Sequence, residues 1–217
     1  MLGELLTISS TDGNPLDGIV YRPSLARDLK KGVLLVHGLS FSFYRGTQRY
    51  LAPFFVEAGY TCLLLNNRDR DRTEPFEFEL AYHDLQAGVN WLRDYGVKEV
   101  ILQGHGFASN KVALFCAQSG GKGVDRYILS TVGAVKGYRP DIWDEVLAGA
   151  ARMSGKILLV QGAVDEKIDA KARAEEFVAA ASGCSVEVVM MQGGDHNFTN
   201  LDRELANLMI DWCSRTF

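Results

Sequence analysis

The residues best suited to chemistry in this chain stand in short loops that each follow an apolar run. His37-Gly38-Leu39-Ser40 follows Val33-Leu34-Leu35-Val36, and Asn66-Asn67-Arg68-Asp69 follows Thr61 to Leu65. Gly104-His105-Gly106-Phe107-Ala108 follows Val100-Ile101-Leu102, and Gly162-Ala163-Val164-Asp165 follows Ile157 to Val160. Gly193-Gly194-Asp195-His196-Asn197-Phe198 comes after Val186 to Met190. The natural chemistry of such a set is proton transfer, because an imidazole gains and loses its proton near neutral pH. In open α/β sheets, sites form beyond the carboxyl ends of the strands, which is where these loops would lie.

The elements that must position them alternate along almost the whole chain. Strands are expected at Leu2–Ser9, Leu16–Tyr21, Val33–Val36, Thr61–Leu65, Val100–Leu102, Tyr127–Leu129, Ile157–Val160 and Val186–Met190. Helices are expected at about Gln48–Ala58, Glu79–Tyr95, Phe107–Gln118, Asp141–Met153, Ala170–Ala181 and Leu201–Cys213. The turn Thr11-Asp12-Gly13-Asn14-Pro15 joins the first two strands into a hairpin. The later strands are continuous apolar runs, the pattern of parallel strands covered on both faces. The fold class is therefore α/β: an eight-stranded, mostly parallel sheet with an N-terminal antiparallel hairpin and helices on both faces. Neither a linker nor a repeat interrupts residues 1–217, so one domain is expected.

Composition narrows the function classes. A hydrophobic fraction of 47% and a net charge of −4, with the charges interspersed, give no reason to expect nucleic acid or a membrane surface as partner. The cysteines Cys62, Cys116, Cys184 and Cys213 lack metal-ligand spacing and read as buried free thiols. No signal-peptide pattern or membrane-length apolar run is present, so a cytoplasmic protein is expected. The expected partner is a small-molecule substrate or ligand, with no cofactor and no metal.

Taken together, the loops resemble those of the α/β-hydrolase superfamily, in particular small, lidless esterases and dienelactone-hydrolase-like proteins. The resemblance runs over nearly the whole chain. That family has an HG loop after its third strand, a G-x-S-x-G nucleophile elbow after the fifth, an Asp after the seventh and a His after the eighth. The matching positions are His37-Gly38, Gly104 to Ala108, Asp165 and His196. The resemblance implies that His196 is the general base and Asp165 the acid that orients it. It also implies an oxyanion hole from the backbone N–H groups of Leu39 and Phe107. The stretch from Val135 to Lys156 has room for one helix, so no lid domain is expected.

The departure falls at the centre of the motif. Gly106 stands where the family has its serine, and glycine carries no atom able to form a covalent intermediate. The turn itself suits glycine, because an elbow imposes a positive φ on its central residue. Removing a serine from such a turn relieves ~1 kcal/mol of strain or more. Other hydroxyls near the loops belong to Ser40, Ser42, Ser109, Ser130 and Thr131. A water in the space left by the side chain, activated by His196 and Asp165, is a better substitute than any of these.

His37, Ser40, Arg68 and His105 complete the expected site as substrate-binding residues. For His37 and His105 a structural role beside the loops competes with substrate contact. Arg68 belongs to the charged loop Asn66 to Arg72, for which a solvated loop with local ion pairs competes with substrate contact; in the family the matching loop borders the pocket, where an acidic substrate group would meet Arg68. Tyr138, Trp143 and the phenylalanines of "LSFSFY" suit either the wall of a shallow apolar cleft or the core. Asp169 suits a helix cap, and Asp195 a turn. Three functional readings follow: a hydrolase-like protein without its nucleophile (natural or inactivated by substitution), an enzyme whose His196 activates water or abstracts a proton, and a binding protein without turnover.

Overall fold

A computed structural model describes residues 2–39, 41–70 and 80–215. Eight strands form one sheet: β1 (Leu2–Ser9), β2 (Pro15–Arg22), β3 (Lys31–Val36), β4 (Thr61–Leu65), β5 (Glu99–His105), β6 (Arg126–Ser130), β7 (Lys156–Gly162) and β8 (Ser185–Met191). The order across the sheet is β1-β2-β4-β3-β5-β6-β7-β8. β1 and β2 pair antiparallel with each other, β2 pairs antiparallel with β4, and the remaining neighbours are parallel. The expected hairpin on a parallel sheet is therefore the observed topology.

Among the described residues, five α-helices connect strands, α1 (Thr47–Glu57), α2 (Ala81–Asp94), α3 (Phe107–Ser119), α4 (Pro140–Ala150) and α5 (Ala170–Ala180), and α6 (Asp202–Ser214) follows β8. The start of α2 expected at Glu79 lies outside the described residues. Short 3₁₀ turns at Leu25–Arg27 and Ala134–Gly137 were not foreseen, being too brief to set up a periodic pattern.

The period-2 alternation of the strands divides the core into two layers. Leu34, Leu63, Leu102, Leu129 and Leu159 face one side and pack with Leu85, Phe115, Trp143 and Phe177 from α2, α3, α4 and α5. Val33, Leu64, Ile101, Ile128 and Leu158 face the other, against Leu51 and Phe55 of α1 and Met209 and Trp212 of α6. Trp143 is thus core rather than cleft: it is buried, and its Nε1–H donates to Glu176 Oε2 at 2.8 Å. The four cysteines are free thiols; three are buried and Cys184 is half-buried. Among the described residues, no helix is long and apolar enough to cross a membrane.

Candidate functional site

β5 passes into α3 through a single residue. His105 ends the strand, Phe107 begins the helix, and Gly106 between them has φ 57° and ψ −120°. A left-handed φ is costly for any residue with a Cβ, so glycine relaxes this hinge. Gly104 is required for a different reason. A Cβ there would lie 2.6 Å from Ala108 C and Ser109 N, so the close seating of α3 over β5 depends on its absence.

Neighbouring side chains fix the turn. Gly106 N–H donates to Ser130 O at 2.8 Å and approaches Thr131 Oγ1 at 3.0 Å. Asn110 Nδ2–H donates to Gly106 O at 3.1 Å. Ser109 is fully buried; its Oγ lies 2.9 Å from Gly104 O and 2.8 Å from Ser130 O, and it accepts from Ser130 N–H at 3.1 Å. That hydroxyl stitches β5 to β6 beneath the elbow and does not face a ligand. Thr131 also has a positive φ, 51°, rare for a β-branched residue.

The β7–β8 pairing brings Asp165 and His196 together. The register ends at Gly162↔Met191, so the two following loops leave the sheet side by side. A Cβ on Gly162 would meet Gly194 O at 2.4 Å, which permits the second loop to lie directly on the first. Asp165 is held by Lys167 N–H, which donates to its Oδ1 at 2.8 Å. Its Oδ2 accepts from His196 Nδ1–H at 2.8 Å. That bond fixes the tautomer and leaves Nε2 aimed at the elbow. A Cβ built on Gly106 would lie 3.5 Å from His196 Nε2 and 3.8 Å from Thr131 Oγ1, which is ordinary contact distance.

These residues open onto a cavity of about 660 Å³, a size usual for a small-molecule site. Leu39 and Phe107, the expected oxyanion pair, line it, as do Phe41 and Tyr138 from the expected aromatic wall. His105 also lines it. Its Nδ1 is 3.2 Å from Ser130 Oγ, and burial, reinforced by the nearby His196, lowers its pKa to about 3, so it is a neutral wall at ordinary pH.

For His37 and Arg68 the structure shows the competing structural roles, bracing and ion pairing, in place of contact with the cavity. His37 does not line the cavity; it is fully buried and braces the loop, with Nδ1–H donating to Gly38 O at 2.7 Å and Nε2 accepting from Asn67 N–H at 2.8 Å. Burial, with help from Lys111, lowers its pKa to about 4. Arg68 is also absent from the lining. Its guanidinium is 7% exposed, donating to both carboxylate oxygens of Asp12 and to Asp84 Oδ1. It ties the β1–β2 turn to the start of α2, and its hydrogen bonds hold Asp12 well below the usual carboxylate range. Ser40 lies outside the described residues. Asp169 caps α5 by accepting from Ala172 N–H at 3.0 Å, and Asp195 closes its own turn by accepting from Asn197 and Thr199 N–H.

One element was missed entirely. Lys111, one turn into α3, is fully buried; its Nζ donates to Asp69 Oδ1 at 2.7 Å and to His37 O at 3.0 Å. The buried pair thereby clamps the loop that carries Leu39. The available signal was a lysine directly preceding the apolar run Val112 to Cys116 on the same helix, where a cation needs a buried partner.

No family model matches the chain, and no curated protein matches it. Solved structures do. An α/β serine hydrolase homologue from Coxiella burnetii superposes with a TM-score of 0.78 at 20% identity, covering 99% of each chain. A dienelactone hydrolase from Anabaena variabilis gives 0.77 at 20% identity, over 97% of this chain and 96% of its own. A lidless α/β serine hydrolase from Xanthomonas campestris gives 0.71 at 19% identity, over 99% and 97%. This chain therefore has the α/β-hydrolase fold without a lid, and it resembles esterases in architecture.

Proposed function

We propose that the cavity is the acyl-compound site of a small-molecule ester or acyl hydrolase from which the covalent route is missing. The observation that carries this reading is the aim of His196 Nε2, 3.5 Å from where a Cβ at position 106 would stand, with Asp165 already on Nδ1. Base, orienting acid and elbow are arranged around an atom that glycine does not supply. Any turnover must then run through His196 as general base on water or on a substrate proton. Such help is worth about 10²–10⁴-fold, well below a complete nucleophilic mechanism.

The test is a pair of proteins assayed on short p-nitrophenyl esters. Gly106→Ser is expected to give a burst of nitrophenol and an acyl adduct visible by mass spectrometry. The unsubstituted protein is expected to give neither. Any slow turnover it shows should vanish in His196→Ala. A folded Gly106→Ser protein that stays inert on a broad ester panel would overturn the reading.

A further inference from the structure

We propose that this site binds a free carboxylic acid as its carboxylate, with one oxygen in the space a side chain at position 106 would fill, accepting a hydrogen bond from protonated His196 Nε2. The inference rests on the acyl-site reading above and names the ligand class that glycine selects.

The geometry fits an oxygen. His196 is 8% exposed, and its Nε2 has no hydrogen-bond partner among the described residues. The Cβ position lies 3.5 Å from Nε2; an oxygen a little nearer reaches the charge-assisted range of about 2.7–2.9 Å. A serine would put its own Oγ there, and Nε2 would then accept from a hydroxyl. With glycine the same nitrogen is left to donate to an anion.

The charges around the imidazole favour that exchange. Asp165 on Nδ1 supports the protonated ring. Asp195 is adjacent in sequence but turned into its own loop, and His105 is a neutral neighbour at a ring separation of 5.8 Å. Lys167 lines the cavity mouth, and the positive end of α3 points into the same space. Phe41, Phe107, Tyr138 and Ile168 provide an apolar wall for the tail of the acid. A neutral ester or amide gains the wall but not the charged contacts.

The experiment is calorimetric titration of the full chain with phenylacetate and hexanoate against phenylacetamide and hexanamide. The acids should bind about 10–100-fold tighter than the amides, the value of one charge-assisted bond. Gly106→Ala places a methyl 3.5 Å from Nε2 and should abolish the preference. His196→Gln, which keeps a donor but no charge, should also abolish it and serves if Gly106→Ala does not fold. Equal binding of acid and amide, or a preference that survives both substitutions, overturns the proposal. A nitrophenol burst from Gly106→Ser alongside such a result would leave the acyl-site reading standing and remove this one alone.

Discussion

Replacing Lys111 with Met tests whether the buried ion pair supports the loop that carries Leu39. Both side chains are fully buried. Removing the ammonium strands Asp69, whose Oδ2 already has no partner among the described residues, and deprives His37 O of a donor. Breaking one member of a buried pair costs about 3–5 kcal/mol, whereas replacing both with apolar groups is often neutral. For a chain of this length each kcal/mol moves Tm by about 2–4 °C, so Lys111→Met should lower Tm by about 6–20 °C. Adding Asp69→Leu should recover most of that loss. Calorimetry gives the stabilities, and amide exchange should quicken at residues 37–39, where Lys111 Nζ holds the His37 carbonyl. A loss under about 1 kcal/mol, or a double variant no more stable than Lys111→Met, would refute the clamp.

Gly106→Ser should cost stability whatever it does to activity. At φ 57° a side chain pays about 1–3 kcal/mol of strain, partly offset by about 0.4–1 kcal/mol of lost unfolded-state freedom, and urea midpoints read the net loss. His37 and His105 are held neutral, at about 4 and about 3, while in the unfolded chain they take protons at about 6.5. The unfolded state therefore binds more protons between those values, and stability should fall as pH drops from about 6.5 to about 3; a urea midpoint that stays flat over this span would contradict the burial argument. Arg68→Met strands Asp84, whose side chain is fully buried, and should cost about 3–5 kcal/mol while leaving ligand affinity in the cavity unchanged, as calorimetry and titration together would show.

The sequence disclosed most of the sheet because each central strand is an apolar run ended by glycine or a polar loop. Gly106, Asp165 and His196 were legible for the same reason: strand ends fix where their loops must start. Arg68 was left between ion pair and substrate contact, and Lys111 was missed, because a sequence shows a charge without its partner. Arg68 meets Asp12 across 56 positions and Lys111 meets Asp69 across 42, distances that no local pattern encodes. Trp143 was left open for a related reason, since an aromatic on a helix can face core or cleft equally well until the packing of α4 is known.

The elbow's shape has a consequence for how this fold changes over time. Ser109, Asn110, Ser130 and Thr131 hold the turn through backbone atoms, and none of those bonds involves a side chain at position 106. The hydrogen bonds of the turn are thus independent of the side chain at 106, although its φ of 57° favours glycine. Two of the four glycine codons are one base away from a serine codon. At such a codon a single base change exchanges glycine and serine at position 106, and with it the atom that faces the His196 imidazole.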